Sequence, residues 1–384
     1  MKKKKHKSRC ANHNKNMIAG VVALLSIIAL TAFAQWTGGT GDTFLTGAVI
    51  LKNACTSTPD FYVLVGSNDN FVYALDASNG CAAWKFDAGG DIKAKVATTS
   101  DTVFIGTTAS ELYKINFDDG TETWQVDTGK IQGSVATDSS YVYAGDNAGT
   151  FGAYAISSGE ESWTYTANNI KSDVVLTDGI AYFVNEYLKV GSLVAVDTTE
   201  QTAKWIFTAT DKTQIWAAPA VTTDAIYVAS GSTLYKLNKD YGVAVWSFKA
   251  GKSIRTQPTV DTKGIIYFGS SDGYFYAVNS KDGKLVWKYQ VNAEISGSAS
   301  VDDDYVYFGA QNSKVYALSK ATGALVWELK TGGKIFGSVT LYEDMLYVPS
   351  ADYSVYALSA ETGQQVWTYK TKGALYGGIS VVEG

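Results

Sequence analysis

Eight tryptophans, Trp84, Trp124, Trp163, Trp205, Trp246, Trp287, Trp327 and Trp367, recur along the chain at intervals of 39–42 residues. Self-similarity at such a period marks a repeat architecture, in which one supersecondary unit is stacked against its neighbours. The seventh unit shows what each repeat holds. Ile295–Val301 alternates with period two and reads as a strand, followed by the turn Asp302-Asp303-Asp304. Tyr305–Ala310, Lys314–Ser319 and Ala324–Lys330 read as three further strands, separated by turns at Gln311-Asn312-Ser313 and Ala321-Thr322-Gly323. Four short antiparallel strands make one small twisted sheet.

The spacing within the unit is held closely. A glycine lies four residues before the tryptophan in seven copies (Gly80, Gly120, Gly159, Gly242, Gly283, Gly323, Gly363), with Gln201 in the fourth. A tyrosine lies eleven before it in six copies, with Gly152 and Val194 as the exceptions. The glycine reads as a turn residue at positive φ, and the aromatics as inter-sheet core. A single such sheet cannot bury both faces, and eight of them closing in a ring remove most free edges. The expected fold is therefore all-β, an eight-bladed β-propeller of four-stranded antiparallel blades.

Runs such as VYALDASNGCAAW (72–84), FYAVNSKDGKLVW (275–287), VYALSKATGALVW (315–327) and VYALSAETGQQVW (355–367) resemble the tryptophan-docking repeat of PQQ-type β-propellers. The resemblance covers about residues 45–384. It implies an eight-bladed ring whose outer-strand tryptophans dock on the next blade. Members of that family include quinoprotein dehydrogenases and BamB-like scaffolds of outer-membrane protein assembly. The inner-strand motif occurs nine times, and its terminal copies are Leu45–Leu51 and Leu375–Val381. Only one can complete blade 1, and the C-terminal copy is the expected clasp.

Charge divides the chain. Residues 1–34 hold seven Lys/Arg and no acid, leaving 25 basic against 37 acidic groups in the remainder. An acidic body argues against a nucleic-acid partner. The cationic start leads into the apolar run Met17–Ala34, with Ala32-Phe33-Ala34 fitting a signal-peptidase site. Residues 1–34 thus read as a cleaved signal peptide or an uncleaved membrane anchor, and 35–384 as an exported propeller domain, periplasmic or extracellular and monomeric. Membrane contact is expected only through residues 17–34, if they are retained. No cysteine follows the apolar run, so a lipid-anchored start is not expected. Cys55 and Cys81 are the only cysteines of the body. They form either a disulfide or two free thiols.

Both histidines, His6 and His13, lie in the leader. The body therefore lacks the usual general base, a Ser–His or Cys–His pair and any histidine-ligated metal. The family resemblance raises a PQQ/Ca²⁺-dependent quinoprotein dehydrogenase as an alternative. The chain has no Cys-Cys dipeptide and no long insertion to carry such a site. Acidic clusters such as Asp118-Asp119 and Asp302-Asp303-Asp304 read as solvated turns. No catalytic, cofactor or metal residues are assigned, and no cofactor is expected.

One column of the repeat varies while its neighbours do not: Lys93, Gln132, Lys171, Trp216, Arg255, Ser296, Phe336 and Tyr376. If all inner strands start at one end of the ring, these side chains encircle one mouth of the channel. Three cations and three aromatics there would suit an anionic or extended ligand. Packing between blades would account for the same residues. The fourth repeat departs most from the pattern, around Asn185-Glu186-Tyr187-Leu188-Lys189, either as a contact loop or by drift. The expected role is a non-catalytic scaffold for a protein partner in the cell envelope, with a carbohydrate- or surface-polymer-binding module as a third alternative.

Overall fold

A computed structural model describes Cys55 and residues 57–383. The leader and the N-terminal inner-strand copy Leu45–Leu51 lie outside the described residues. No helix among the described residues is long and apolar enough to cross a membrane.

The described chain forms eight antiparallel sheets arranged as a propeller. Blades are numbered here by their tryptophans, from Trp84 in blade 1 to Trp367 in blade 8. Blade 7 consists of Ser300–Val301, Tyr305–Ala310, Lys314–Ser319 and Leu325–Lys330, paired in that order. Three of its strands fall where the sequence places them. The inner strand is shorter than expected, because only Ser300 and Val301 pair with the second strand, opposite Tyr307 and Val306. The residues before them, from Ile295, pack along the channel without a ladder partner in their own sheet.

Blade 1 is built from both ends of the described chain. Ile379–Glu383 pairs with Phe61–Gly66, which continues through Phe71–Asp76 to Ala82–Asp87. The C-terminal copy of the inner-strand motif is thus the clasp. Cys55 and Cys81 are joined in a disulfide with Cα atoms 5.1 Å apart, and the Cys55 N–H donates to Ala82 O. Their sulfurs are therefore not available as thiolate ligands beside Asp76.

The core is not one central mass but a series of layers between successive blades. Between blades 6 and 7, Tyr267, Phe275 and Ile295 meet Phe308, Tyr316 and Leu318. Phe275 and Phe308 stack with centroids 3.9 Å apart. The tryptophans seal the outside of these layers. Trp84, Trp124, Trp205, Trp246, Trp287, Trp327 and Trp367 each donate the indole N–H to a carbonyl of the next blade, at 2.8–3.1 Å. Trp367 reaches Ala77 of blade 1, which closes the ring. Each turn glycine has positive φ, and it also lies under the tryptophan of the preceding blade. A Cβ on Gly323 would stand 2.6 Å from the ring of Trp287. Two requirements therefore converge on one residue: a left-handed backbone and a flat seat for an indole.

Blade 4 lacks that seat. Gln201 adopts φ 58°, and Trp163 makes no indole–carbonyl bond among the described residues. Trp163 packs on Tyr143 and Phe151 of its own blade just as the docked Trp287 packs on Tyr267 and Phe275, and differs in lacking the carbonyl acceptor. The segment around Asn185–Lys189 is not an irregular loop. It is the end of the longest hairpin in the ring, Ile180–Tyr187 with Val190–Asp197, paired without a break. The two-residue turn places Leu188 and Lys189 at φ 50° and 66°, a primed turn without glycine. Tyr187 and Leu188 at its tip are exposed.

Candidate functional site: the channel mouth

Each inner strand begins with a buried Ile or Leu, from Ile92 in blade 2 round to Leu375 in blade 1. In six of the eight this side chain fills the space over a glycine of the preceding blade; Ile254 and Leu375 are the exceptions. A Cβ on Gly66 would meet Ile92 Cγ2 at 2.3 Å, and one on Gly309 would meet Ile335 at 2.2 Å. With the first residue held inward to the sheets, the second must face the other way, by the two-residue alternation of extended chain. That is the variable column.

Lys93, Lys171, Trp216, Arg255, Ser296, Phe336 and Tyr376 all line one cavity of about 650 Å³ at the channel. Gln132 is the member of the column that does not line it. The Arg255 guanidinium lies 4.3 Å from the centroid of the Trp216 ring and 3.3 Å from Glu294 Oε1. Phe336 and Tyr376 are tilted against each other with centroids 5.3 Å apart. Lys93 Nζ stands 3.9 Å from Asp91. The packing reading and the binding reading are both partly visible here, since Trp216 and Tyr376 touch neighbours yet remain over 40% exposed.

Two residues further along each inner strand, a second column faces the channel: Lys95, Ser134, Asp173, Ala218, Gln257, Ser298, Ser338 and Gly378. All except Ser134 line the cavity. Side chains here join blades. The Ser134 N–H donates to Asp173 Oδ1 at 2.7 Å, Gln257 N–H to Ser298 Oγ, and Ser298 N–H to Ser338 Oγ. Lys95 reaches channel water, but the walls surround it closely. That burial pushes its ammonium below the ordinary lysine value, partly opposed by the carboxylate of Asp173. Sequence reading passed over Lys95, although the same alternation that selects Lys93 selects the residue two positions later.

The cavity lining contains four cations, Lys93, Lys95, Lys171 and Arg255, and one carboxylate, Asp173. This polarity opposes that of the acidic body. The acidic turns lie away from it and are occupied locally. Asp302 accepts hydrogen bonds from the N–H groups of Asp304 and Tyr305 and from Tyr307 Oη. Asp119 accepts from the Thr121 hydroxyl and N–H, which hold its carboxyl below the ordinary range.

The family of the outer membrane protein assembly factor BamB matches this chain over residues 30–133, 128–207, 189–300 and 272–382. Among curated proteins no match is found. Among solved structures, BamB from Moraxella catarrhalis is similar at 20% identity and a TM-score of 0.64, covering 77% of this chain and 90% of that one. The computationally designed Ika8 protein is similar at 16% identity and a TM-score of 0.67, covering 76% and 92%. Quinohemoprotein alcohol dehydrogenase from Comamonas testosteroni is similar at 12% identity and a TM-score of 0.66, covering 75% and 68%. At these identities the structural likenesses show the fold alone.

Proposed function

The chain belongs to the family of the outer membrane protein assembly factor BamB, and on that premise we propose that it is an exported, non-catalytic scaffold holding a protein partner in the cell envelope. The observation that carries this reading is the channel mouth: exposed aromatics and cations arranged for contact, in a body without histidine. The cationic leader and its apolar run support export, with residues 35–384 as the working domain.

The alternative is a quinoprotein dehydrogenase, because such enzymes share the fold. The residues of the mouth do not fit its cofactor pair. Calcium takes six to eight oxygen ligands, typically with several carboxylates. The lining offers one carboxylate, already bonded to Ser134 N–H, among four cations that repel a divalent metal. Arg255 covers one face of Trp216, which leaves only the other for a planar quinone. The carbohydrate alternative has less support, since Arg255 covers one face of Trp216 and Phe336 and Tyr376 are tilted against each other.

Two measurements test the reading. Full-length protein used as bait against envelope extract should retain a partner that the Trp216→Ala and Arg255→Ala variants lose; unchanged capture by both variants would remove the mouth from the interaction. Addition of PQQ and Ca²⁺ should give neither a bound-quinone spectrum nor dye reduction with alcohols. Turnover in that assay would replace the scaffold reading with the enzymatic one.

A further inference from the structure

We propose that the channel mouth binds an acidic, aromatic-bearing extended polypeptide segment, with Lys95 anchoring one carboxylate inside the channel and Lys171 and Arg255 receiving others at the rim. The proposal rests on the scaffold reading and deepens it by naming the chemistry of the partner segment.

Three observations lead to it. First, the lining is cationic against the sign of the body, and two of its cations, Lys95 and Lys171, form no ion pair among the described residues. Asp173 is the one carboxylate of the lining and acts on Lys95 without a direct ion pair. Four cations against one carboxylate leave the cavity a site for an anion from outside, because the attraction is less screened there than at open surface. Arg255 is paired with Glu294 through one nitrogen, and its five N–H donors leave capacity for a second carboxylate. Second, the depth of the cations is staggered. Lys171 and Arg255 belong to the first inward column and Lys95 to the second, so a chain entering the channel passes them in turn. An extended acidic segment can meet such a series, whereas one small anion can meet only part of it.

Third, the aromatics favour peptide side chains over sugar. Sugar rings stack on a flat, uncovered aromatic face. Here Trp216 carries the Arg255 guanidinium on one face, and Phe336 and Tyr376 meet at 57°. Rings presented at such angles suit the edge-to-face contacts that aromatic side chains make with one another. Gly378 lies beside Lys95. A Cβ there would stand 3.5 Å from Lys95 Cβ, 3.7 Å from Lys95 Cδ and 3.7 Å from Ser338 Cβ, ordinary contacts that leave room for a side chain next to the lysine.

The test uses the full-length chain and a fluorescein-labelled decapeptide of alternating Glu and Phe, with binding read by anisotropy. Lys95→Gln should weaken binding by about tenfold, the scale of one lost charge-assisted contact, and the Gln/Phe peptide should bind the wild type more weakly by at least as much. Gly378→Asp, which sets a resident carboxylate beside Lys95, should reproduce the loss, while Gly378→Asn should not. Circular dichroism melting curves identify any variant that fails through misfolding. Wild-type-like peptide affinity in Lys95→Gln overturns the channel site, as does oligogalacturonate binding tighter than the peptide. The scaffold reading stands or falls separately, on partner capture by the Trp216 and Arg255 variants.

Discussion

The junction between blades 6 and 7 and the junction between blades 3 and 4 carry the same tryptophan and receive it differently. Both layers centre on stacked phenylalanines, Phe275 on Phe308 at 3.9 Å and Phe151 on Phe183 at 4.5 Å. At the first junction Trp287 lies over Gly323 and donates to Lys320 O. The Lys320 side chain donates to Asp302 O of its own blade at 2.6 Å and reaches back to blade 6, where Nζ meets Asp261 Oδ2 at 3.2 Å. At the second, Gln201 replaces the glycine, and the Trp163 indole joins the layer without a carbonyl acceptor among the described residues. The segment that enters blade 4 adds ladder pairs to that blade's own sheet at Asn169–Ile170, and the Asn168 N–H donates to Asn185 Oδ1. The stacked core is thus the shared element of a blade junction. The tryptophan dock is a separable addition to it.

The largest expected effect concerns the lysine. Lys320 and Lys239 occupy the same repeat position, yet the Lys320–Asp261 pair is buried and Asp178, the partner of Lys239, is 76% exposed. Lys320→Ala leaves a buried carboxylate without its cation and should cost about 3–5 kcal/mol. Lys239→Ala should cost no more than about 1 kcal/mol. Denaturant unfolding of the two variants measures both, and equal losses would break the comparison.

Next in size is the seat. Gly323→Ala forces an L-residue to φ 71° and a methyl into the Trp287 ring, so it should destabilise by at least about 1–2 kcal/mol. Gln201→Gly relieves a left-handed glutamine and should raise the melting temperature instead. A smaller difference belongs to the indole N–H: Trp287→Phe should lose about 1 kcal/mol more than Trp163→Phe, the net worth of one hydrogen bond.

The smallest effect is a pH dependence. Burial raises the Asp261 carboxyl, but the Ile265 N–H and the Lys320 ammonium pull harder and hold it below its ordinary 3.8. A carboxylate depressed in the fold contributes fully above its unfolded value, and that contribution is lost as pH falls through the folded one. In Lys320→Ala burial acts with much less opposition, so protonation relieves the variant. The stability gap between wild type and Lys320→Ala should therefore narrow from pH 7 to pH 4. A constant gap would show that the pair acts through packing alone.

The fold was legible because its signals are local and repeated. Tryptophan spacing set the blade count, and alternation placed strands such as Tyr305–Ala310 and Lys314–Ser319 at their observed bounds. What depended on contacts between distant residues was less accessible. Alternation at 295–299 is real, but it serves the neighbouring blade and the channel, not a ladder in its own sheet. The glycine seat looked like a turn requirement alone, because the indole it receives comes from the preceding repeat. In the candidate site, seven of eight named mouth residues share one cavity, since a fixed column in a ring must converge. Lys95 escaped notice because variability in the first column drew attention from the second. The Lys320–Asp261 pair spans 59 residues and has no sequence signature.

The pairing of Ile379–Glu383 with Phe61–Gly66 also has a kinetic consequence. Seven blades are made from contiguous sequence and can form as the chain emerges, each on its predecessor. The first cannot be completed until the last strand arrives from more than three hundred residues away. Until then the molecule is an open arc with an unpaired strand edge at one end and an unseated Trp367 at the other. Such ends are the sticky surfaces that make slow, non-local β assembly prone to aggregation. The hazard period of this protein is set by its final strand, and removing residues 379–383 should make that period permanent.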